Sequence, residues 1–233
     1  MSHVYDQDGL RSVHDHEFMA EPGFQRAYSR GVQAVGEDYA WHWRVHTGLW
    51  AASTAAHLPG DFVECGVNRG FMSSAIMELL DWETQARTFY LLDTFSGVDE
   101  RYLSEEDRLH GVTERNSHDI QRGFYSFDVE AIRSNFSEWS NTKIIVGAIP
   151  ETLPAVESER IAFLHLDLNC SLPEIATLDF FWDRFVAGAV ILLDDYGYIG
   201  YRSQKIGMDA FAKRMDVSIL SLPTGQGLMI KSD

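Results

Sequence analysis

The chain is poor in cysteine and in basic residues. Its 233 residues include two cysteines, Cys65 and Cys170, which lie in apolar runs without the spacing of metal ligands. We therefore expect both to be buried free thiols. Lysine and arginine number 19 against 35 aspartates and glutamates, giving a formal net charge of −16. Such a charge disfavours binding to nucleic acid or to an anionic membrane, so a small molecule is the expected partner.

Long apolar runs are also missing. No window approaches the run of about 18 apolar residues that suggests a transmembrane helix. Residues 1–11 are polar and lack the apolar core of a signal peptide. These two absences predict a cytoplasmic protein. The length fits one domain with a sizeable core and an N-terminal addition.

The first 36 residues differ in composition from the rest. Residues 1–36 are polar and show no apolar periodicity, and their acids and histidines match the spacing of no known metal site. A mobile surface arm is therefore favoured over metal binding. The cluster in question comprises His3, Asp6, Asp8, His14, Asp15, His16 and Glu17.

An aromatic-rich helix is predicted over residues 37–57. Its apolar positions, at 39, 43, 46, 47 and 50, form a helical stripe. The helix could pack against the main domain or a second subunit, or it could form a wall that faces the substrate. We divide the chain into an N-terminal arm and helical extension, 1–58, and a main domain, 59–233.

Residues 62–77 (FVECGVNRGFMSSAIM) are typical of a strand, a glycine turn and the start of a helix. Such a turn brings backbone N–H groups close to a ligand, and Glu64 stands at the end of its strand. The spacing of Gly66 and Gly70 is not the dinucleotide fingerprint, so a nicotinamide ligand is weakly supported. Asp93 closes the next apolar run, where an acid commonly binds ribose hydroxyls. Together they indicate a nucleoside-containing ligand.

Apolar runs then alternate with amphipathic helices. This alternation predicts an α/β fold with a doubly wound, mostly parallel seven-stranded sheet that ends in an antiparallel hairpin. The order suits the Rossmann-like sheet of class I methyltransferases that use S-adenosylmethionine (SAM). The expected strands are 62–66, 88–93, 143–147, 161–167, 189–194, 217–222 and 228–231, and the expected helices are 71–82, 127–138, 173–186 and 203–215.

The polar segment 97–123 is too long for a routine connection. It is either a lid or a partly disordered insertion, and its many charges are expected to form a solvated face.

Three carboxylates follow two neighbouring strands. Asp167 ends the fourth strand, and Asp194 and Asp195 end the fifth. Because ligands bind outside the carboxyl ends of parallel strands, these side chains should converge. Clustered carboxylates repel unless a cation neutralises them, and oxygen ligands select Mg²⁺, Ca²⁺ or Mn²⁺, with Asn169 as a further oxygen donor. The alternative is that Asp194 caps the next segment and Asp195 is solvated, and we favour the metal.

His165 lies two residues before Asp167 and therefore on the same side of its strand. It could assist as a base, although a core histidine that is hydrogen-bonded across the sheet is the more frequent arrangement. A metal-bound substrate hydroxyl would attack the methyl group of SAM in line.

Several of these motifs resemble the macrocin O-methyltransferase family, whose members are SAM- and Mg²⁺-dependent enzymes that methylate sugar hydroxyls of natural products. The resemblance covers roughly residues 37–231 in one order. Its motifs are 60–70 (GDFVECGVNRG), 93–97 (DTFSG), 147–154 (GAIPETLP), 165–167 (HLD), 194–196 (DDY) and 225–227 (GQG).

The resemblance implies a role for each motif. Glu64, Gly66 and Gly70 would line the methionine end of SAM, Asp93 would hold its ribose, and Gly147 and Ala148 would lie near its adenine. Asp167, Asp194 and Asp195 match the metal ligands, and Asp167 would also accept the hydroxyl proton. We count Asn68, Ser73, Thr94 and Asp167 among the cofactor-binding residues as well, and His165 with Asp167 as catalytic.

The chain departs from the family pattern in two places. Residues 169–171 (NCS) stand where an Asp-x-Tyr pattern is usual, and Phe71 and Met72 stand where Gly-Ser is common. The first departure concerns the surroundings of the metal and the mouth of the substrate site, and a macrolide sugar is therefore not assumed as the acceptor.

The leading hypothesis is a SAM- and metal-dependent O-methyltransferase that acts on a hydroxylated small molecule, either a sugar or a secondary metabolite. One alternative is a SAM-binding protein of the same fold without methyl transfer. The other is an NAD(P)-linked oxidoreductase, against which the missing dinucleotide fingerprint counts. A homo-oligomer formed through the N-terminal helical region is a further expectation.

Overall fold

The computed structural model describes residues 4–232, so His3 of the N-terminal cluster lies outside the described residues. One large sheet has the strand order β5-β4-β3-β6-β7-β9-β8. Strands β3 to β7 are parallel, whereas β9 runs antiparallel to both β7 and β8. The predicted doubly wound sheet and its terminal hairpin are therefore confirmed. The strands are β3 (Asp61–Cys65), β4 (Phe89–Asp93), β5 (Thr142–Val146), β6 (Ile161–Leu166), β7 (Phe185–Leu193), β8 (Ile219–Ser221) and β9 (Gly227–Ile230).

Side chains alternate across this sheet, and both of its faces are buried. Phe62 and Phe163 point into one core, which α1, α2 and α3 complete, and Val63 and Leu164 point into the other, beneath α7 and α8. Helices thus cover both faces, as near-continuous apolar strands require. The helices are α1 (Pro22–Val35), α2 (His42–Ala55), α3 (Phe71–Leu79), α4 (Glu105–Leu109), α5 (Val112–Gln121), α6 (Val129–Asn135), α7 (Ser171–Phe181) and α8 (Arg202–Met215).

The N-terminal segment is more regular than the sequence suggested. Strands β1 (Tyr5–Gln7) and β2 (Leu10–Ser12) form a hairpin, and α1 follows. The buried face of α1 consists of Phe24, Ala27, Tyr28, Gly31 and Val35, spaced as a helix requires. The expected surface arm is therefore wrong for this helix. Small and aromatic residues make up most of its buried face. A search for periodic aliphatic residues in the sequence therefore does not detect this helix.

Helix α2 lies where a helix was predicted, but a different face is buried. Its inward side chains are Val45, Leu49, Ala52 and Ala55, whereas Trp50 is half exposed. The expected aromatic stripe is wrong because small residues allow the helix backbone to approach its neighbours. A Cβ on Gly48, for example, would collide with the Met72 side chain.

The segment 97–123 contains two helices, α4 and α5, and is therefore ordered in the structure. Leu103 and Val112 pack against Cys170 and Tyr201 at the mouth of the sheet. Most of its charges are exposed, as predicted, but Asp107 is fully buried. Both cysteines are buried free thiols, which confirms that prediction. Among residues 4–232, no helix has the length and apolar character needed to cross a membrane.

Candidate active site

The turn from β3 to α3 depends on glycine. Gly66 has φ +93°, and a Cβ at this position would overlap the backbone of Asp167. Gly70, with φ +84°, leaves space for the Phe136 ring, which would lie 2.5 Å from a Cβ. Glycine therefore brings the carboxyl ends of β3 and β6 into direct contact.

Asp93 holds this turn in place. One carboxylate oxygen accepts the backbone N–H groups of Val67 and Asn68, each at 2.7 Å, and the other accepts that of Phe95 at 2.6 Å. Burial raises the pKa of Asp93, and these backbone donors oppose that rise. The residue expected to hold a ribose is thus also the residue that fixes the glycine turn.

A cleft with two lobes opens at the carboxyl ends of the strands. The lobes enclose about 490 and 630 Å³, which lies within the range of small-molecule sites. They share Gly66, Asp93, Tyr125, Asp167 and Asn169. We call them the Ala148 lobe, further lined by Thr94, Val98, Asp99, Tyr102, Ala148, Ile149 and Cys170, and the Trp41 lobe, further lined by Tyr39, Trp41, Arg44, Glu64, Asn68, Phe71, Phe124, His165 and Asp194.

Of the remaining predicted cofactor residues, Asn68 lines the cleft, whereas Ser73 and Gly147 line neither lobe. Ser73 is fully buried in α3, and its hydroxyl has no partner in the described part of the chain. Gly147 has φ +140° where the chain leaves β5. Asn68 lines the Trp41 lobe, but its amide is engaged, since it donates to the Phe124 carbonyl and accepts the Ser126 N–H. Asn68 therefore holds the segment after α5 against the glycine turn.

The three predicted carboxylates do converge. One oxygen from each of Asp167, Asp194 and Asp195 lies within 4.8 Å of the others. Burial, followed by the charges of the other two, raises the pKa of Asp167 well above its usual range. Burial and the charge of Asp194 raise the pKa of Asp195 to about 7. The ionised forms of Asp167 and Asp195 are therefore unfavourable in this cluster, and a bound cation would stabilise them.

His165 lies between two carboxylates. Its Nδ1 is 2.8 Å from Glu64 Oε1, and its Nε2 is 3.4 Å from Asp194 Oδ1. Burial alone would lower the pKa of His165, but the hydrogen bonds and charges of Asp194 and Glu64 outweigh it and raise this pKa to about 10. At neutral pH both nitrogens carry protons and donate. This arrangement favours His165 as a fixed cation. It disfavours the role of general base, which was one interpretation of the sequence.

Glu64 presents an unsatisfied atom to the cleft. Its Oε1 accepts from His165, whereas Oε2 is buried and has no partner among residues 4–232. A buried carboxylate oxygen without a donor is costly, so a ligand with an N–H or O–H group would stabilise it.

Arg44 is a charged residue of the candidate site that the sequence pattern does not reveal. Its guanidinium reaches across from α2 and donates to the carboxylate of Asp194. Gln226, just before β9, also donates to Asp194 Oδ1, at 2.9 Å. The sequence signal was weak, since Arg44 is simply the one basic residue of the segment 37–57 other than histidine. Burial opposes its charge, but the surrounding aspartates outweigh burial and raise the pKa of Arg44 further.

Asn169 stands at the mouth with φ +58°. Its amide nitrogen lies 3.5 Å from Asp167 Oδ1, and Asn169 lines both lobes. The ligand atoms that converge at Asp167 are carboxylate oxygens, and the amide of Asn169 stands beside them. Oxygen atoms are the ligands that hard divalent ions such as Mg²⁺ prefer, so the three carboxylates fit such an ion.

The family model for macrocin-O-methyltransferase matches residues 47–218, well over half of the chain. A tetracenomycin-modifying relative is 28% identical over 149 residues, covering 60% of this chain and 54% of the relative. Its name is 8-demethyl-8-(2,3-dimethoxy-alpha-L-rhamnosyl)-tetracenomycin-C 4'-O-methyltransferase, from Streptomyces olivaceus. Mycinamicin III 3''-O-methyltransferase of Micromonospora griseorubida is 23% identical, covering 74% of this chain and 72% of the relative. The match to the first relative thus spans about half of that protein's length.

Solved structures agree on the fold. The O-methyltransferase NovP superposes with a TM-score of 0.69 at 21% identity, covering 82% of this chain and 80% of its own. The calicheamicin methyltransferase CalS11 gives a TM-score of 0.65 at 15% identity, covering 94% and 95%. At these identities the likeness establishes the fold alone.

Proposed function

Because this chain belongs to the macrocin O-methyltransferase family, we propose that it transfers a methyl group from SAM to a hydroxyl of a natural-product sugar. The observation that carries the proposal is the convergence of Asp167, Asp194 and Asp195 within 4.8 Å at the edge of the cleft. The sheet order and the family match favour methyl transfer over hydride transfer to a nicotinamide.

The reaction is an in-line displacement. The acceptor oxygen forms a bond to the methyl carbon as the bond from that carbon to the sulfonium sulfur breaks, leaving S-adenosylhomocysteine. The hydroxyl proton must leave, and Asp167 is our candidate acceptor, because its side chain lines both lobes of the cleft. Most of the rate gain would come from positioning donor and acceptor.

The proposed donor site uses both lobes. Glu64 Oε2 is suited to accept an N–H from the amino group at the methionine end, because it is buried and unpaired within residues 4–232. Asp93 lies where the lobes meet and would face the ribose, with Thr94 beside it in the Ala148 lobe. Ala148 and Ile149 would then line the adenine.

Asp167, Asp194 and Asp195 would hold a divalent ion, with Mg²⁺ the best match to their oxygens. Bound there, such an ion would supply Lewis-acid stabilisation of an acceptor hydroxyl as it loses its proton. The chain's own part is to hold the carboxylates in place, which Gln226 and His165 do for Asp194.

The acceptor would enter from the Trp41 lobe. Tyr39, Trp41, Phe71 and Phe124 provide aromatic walls there, beside convergent carboxylates, as expected of a site for a ring with hydroxyl groups. The interpretation of the aromatic segment as a substrate wall thus gains support at Tyr39 and Trp41. A sugar hydroxyl agrees with the names of the relatives, one of which acts on a rhamnosyl-tetracenomycin.

Calorimetric titration of SAM, S-adenosylhomocysteine and NAD⁺, each with Mg²⁺ and with EDTA, tests the proposal. We expect tight binding of S-adenosylhomocysteine and no heat from NAD⁺. Screening of glycosylated acceptors with Mg²⁺ would follow. Absence of binding of both SAM and S-adenosylhomocysteine would refute the assignments of Glu64 and Asp93. Binding of these ligands without turnover of any acceptor would favour the alternative, a SAM-binding protein without methyl transfer.

Replacing Asp194 with alanine tests the metal. Asp194→Ala should lower Mg²⁺-dependent turnover by at least about 100-fold, because it removes a ligand and the partner of Arg44. Affinity for S-adenosylhomocysteine should change little. Asp209→Ala, which removes a surface carboxylate paired with Lys205, is the matched control and should behave like the parent. Unchanged turnover in Asp194→Ala would contradict the metal role.

Two expectations about the whole protein stay proposals, as does the division of the chain at residue 58. The protein is proposed to work in the cytoplasm and to form a homo-oligomer through its N-terminal helices. Light scattering of the purified chain would decide its oligomeric state.

A further inference from the structure

Arg44 occupies an unusual place for an arginine, inside an acidic site. We propose that Arg44 is a permanent counter-cation of the aspartate cluster, held in place by Asp8, and that it limits how tightly the cluster binds a divalent ion. This inference rests on the proposed metal site and concerns its affinity. Because Arg44 would act through Asp194, it is a positioning residue.

The contacts of Arg44 join three parts of the chain. Its Nε lies 3.2 Å from Asp8 Oδ2, and its Nη1 donates to the carboxylate of Asp194 and lies 3.3 Å from the Asp194 carbonyl oxygen. The same Nη1 is 3.8 Å from Asp195 Oδ1. The side chains of Arg44, Asp194 and Asp195 are 12%, 9% and 12% exposed, so water screens these charges poorly.

The balance of charges leaves the site acidic. Five carboxylates meet there, against the two cations Arg44 and His165. The carboxylates are Asp8, Glu64, Asp167, Asp194 and Asp195. Arg44 therefore neutralises part of the cluster and leaves an excess of negative charge for a bound cation.

The three candidate ligands are not equivalent. Both oxygens of Asp194 already accept hydrogen bonds, from Arg44 on one and from Gln226 and His165 on the other. Within residues 4–232, by contrast, the Asp167 carboxylate has one long hydrogen bond, from the Asn169 amide at 3.5 Å. A divalent ion would thus share Asp194 with Arg44 and would be repelled by the guanidinium charge.

Asp8 fixes the guanidinium from the other side. It lies in the turn of the β1–β2 hairpin, where Asp8 and Gly9 have φ +51° and +70°, as a tight turn of this kind requires. Its side chain is 18% exposed. Without this carboxylate, Arg44 would be left with the aspartates of the cluster as its acidic partners. The hairpin therefore takes part in setting the charge of the site.

Opposite shifts in metal affinity test the proposal. Mn²⁺ would be titrated into the full chain without donor or acceptor, with the electron paramagnetic resonance of the free ion as the readout. Arg44→Met should bind Mn²⁺ about tenfold more tightly, since a repelling charge a few ångströms away is lost. Asp8→Asn should bind it about threefold more weakly. Arg44→Lys keeps the charge and should stay near the parent.

Arg30→Met is the control, because it removes an arginine whose partners are Glu138 and the Asn135 carbonyl. It should bind Mn²⁺ as the parent does. Unchanged or weaker binding by Arg44→Met overturns the inference while leaving the metal site intact. Absence of Mn²⁺ binding by the parent, in contrast, overturns both the metal site and the inference. A merely structural role for Arg44 would weaken binding in both test variants, and that result also refutes the inference.

Discussion

The charge of His165 is set by its two partners, Glu64 and Asp194. An imidazole that donates to a carboxylate from each nitrogen keeps its proton, and its pKa is raised to about 10. Its contribution to stability is therefore complete below the ordinary histidine pKa of about 6.5 and is lost as the pH rises toward 10. Acid, within the range where the carboxylates stay ionised, should not weaken this contact.

His165→Gln tests this linkage. We expect the free energy of unfolding to fall by roughly 2–4 kcal/mol at pH 6, because the variant lacks the buried cation between two carboxylates. The deficit should shrink near pH 9.5. Urea denaturation at both values measures it, with the exposed His57→Gln as control. A deficit that grows with pH would show that His165 is neutral in the fold.

At the scale of elements, helices α4 and α5 are attached to the main domain at Asp107. This carboxylate accepts the hydroxyl of Ser104 at 2.6 Å, that of Ser171 at 2.9 Å and that of Ser203. Burial would raise the pKa of Asp107, but these donors hold it below its usual range. One side chain thus joins α4 to the starts of α7 and α8.

Asp107→Asn should loosen the attachment of α4 and α5, because an amide group would face hydroxyl donors in place of one carboxylate oxygen. We expect faster hydrogen exchange in residues 97–123. Affinity for S-adenosylhomocysteine should fall about tenfold, since Val98, Asp99 and Tyr102 line the Ala148 lobe. The exposed neighbour Glu106→Gln is the control. Parent-like exchange in Asp107→Asn would show that apolar packing alone holds α4 and α5 in place.

Helix α1 is held against α3 by close contact at a glycine. A Cβ on Gly31 would lie 2.6 Å from the Phe71 ring, whereas one on Gly23 would meet Leu79 at 3.6 Å, an ordinary contact. Gly31→Ala should therefore destabilise the protein by about 1–3 kcal/mol. Gly23→Ala should be neutral or stabilise it by up to about 1 kcal/mol, because alanine favours the helix. Chemical denaturation distinguishes the two, and equal effects would contradict this packing.

The whole molecule carries a formal charge of −16. Such an excess destabilises the compact state by self-repulsion, and salt screens it over a Debye length of about 10 Å at 0.1 M. The thermal midpoint should therefore rise by a few degrees between about 10 and 150 mM NaCl. Neutralising Glu37, Glu159 and Asp183, which are exposed, should reduce that rise. A falling midpoint would indicate that ion pairs outweigh the repulsion.

The sequence by itself determined the sheet and the place of its site. Strand-forming apolar runs, two glycines and acids at strand ends depend on local backbone and burial requirements, and these can be read along the chain. Asp93, Asp167, Asp194 and Asp195 were identified in this way, because parallel strands bring their carboxyl ends to one edge.

Only the tertiary structure decided what surrounds that edge. Arg44 and Asp8 lie 36 positions apart, and Asp194 lies 150 positions beyond Arg44. Their pairing depends on how α2 and the N-terminal hairpin pack, and no local pattern encodes it. The same holds for Asp107, which lies in a polar segment but is buried. Its carboxylate accepts hydrogen bonds from Ser104 nearby and from the distant Ser171 and Ser203. Long-range packing selects these partners. A buried charge is costly unless donors or opposite charges surround it, and the tertiary fold determines which residues lie close enough to do so.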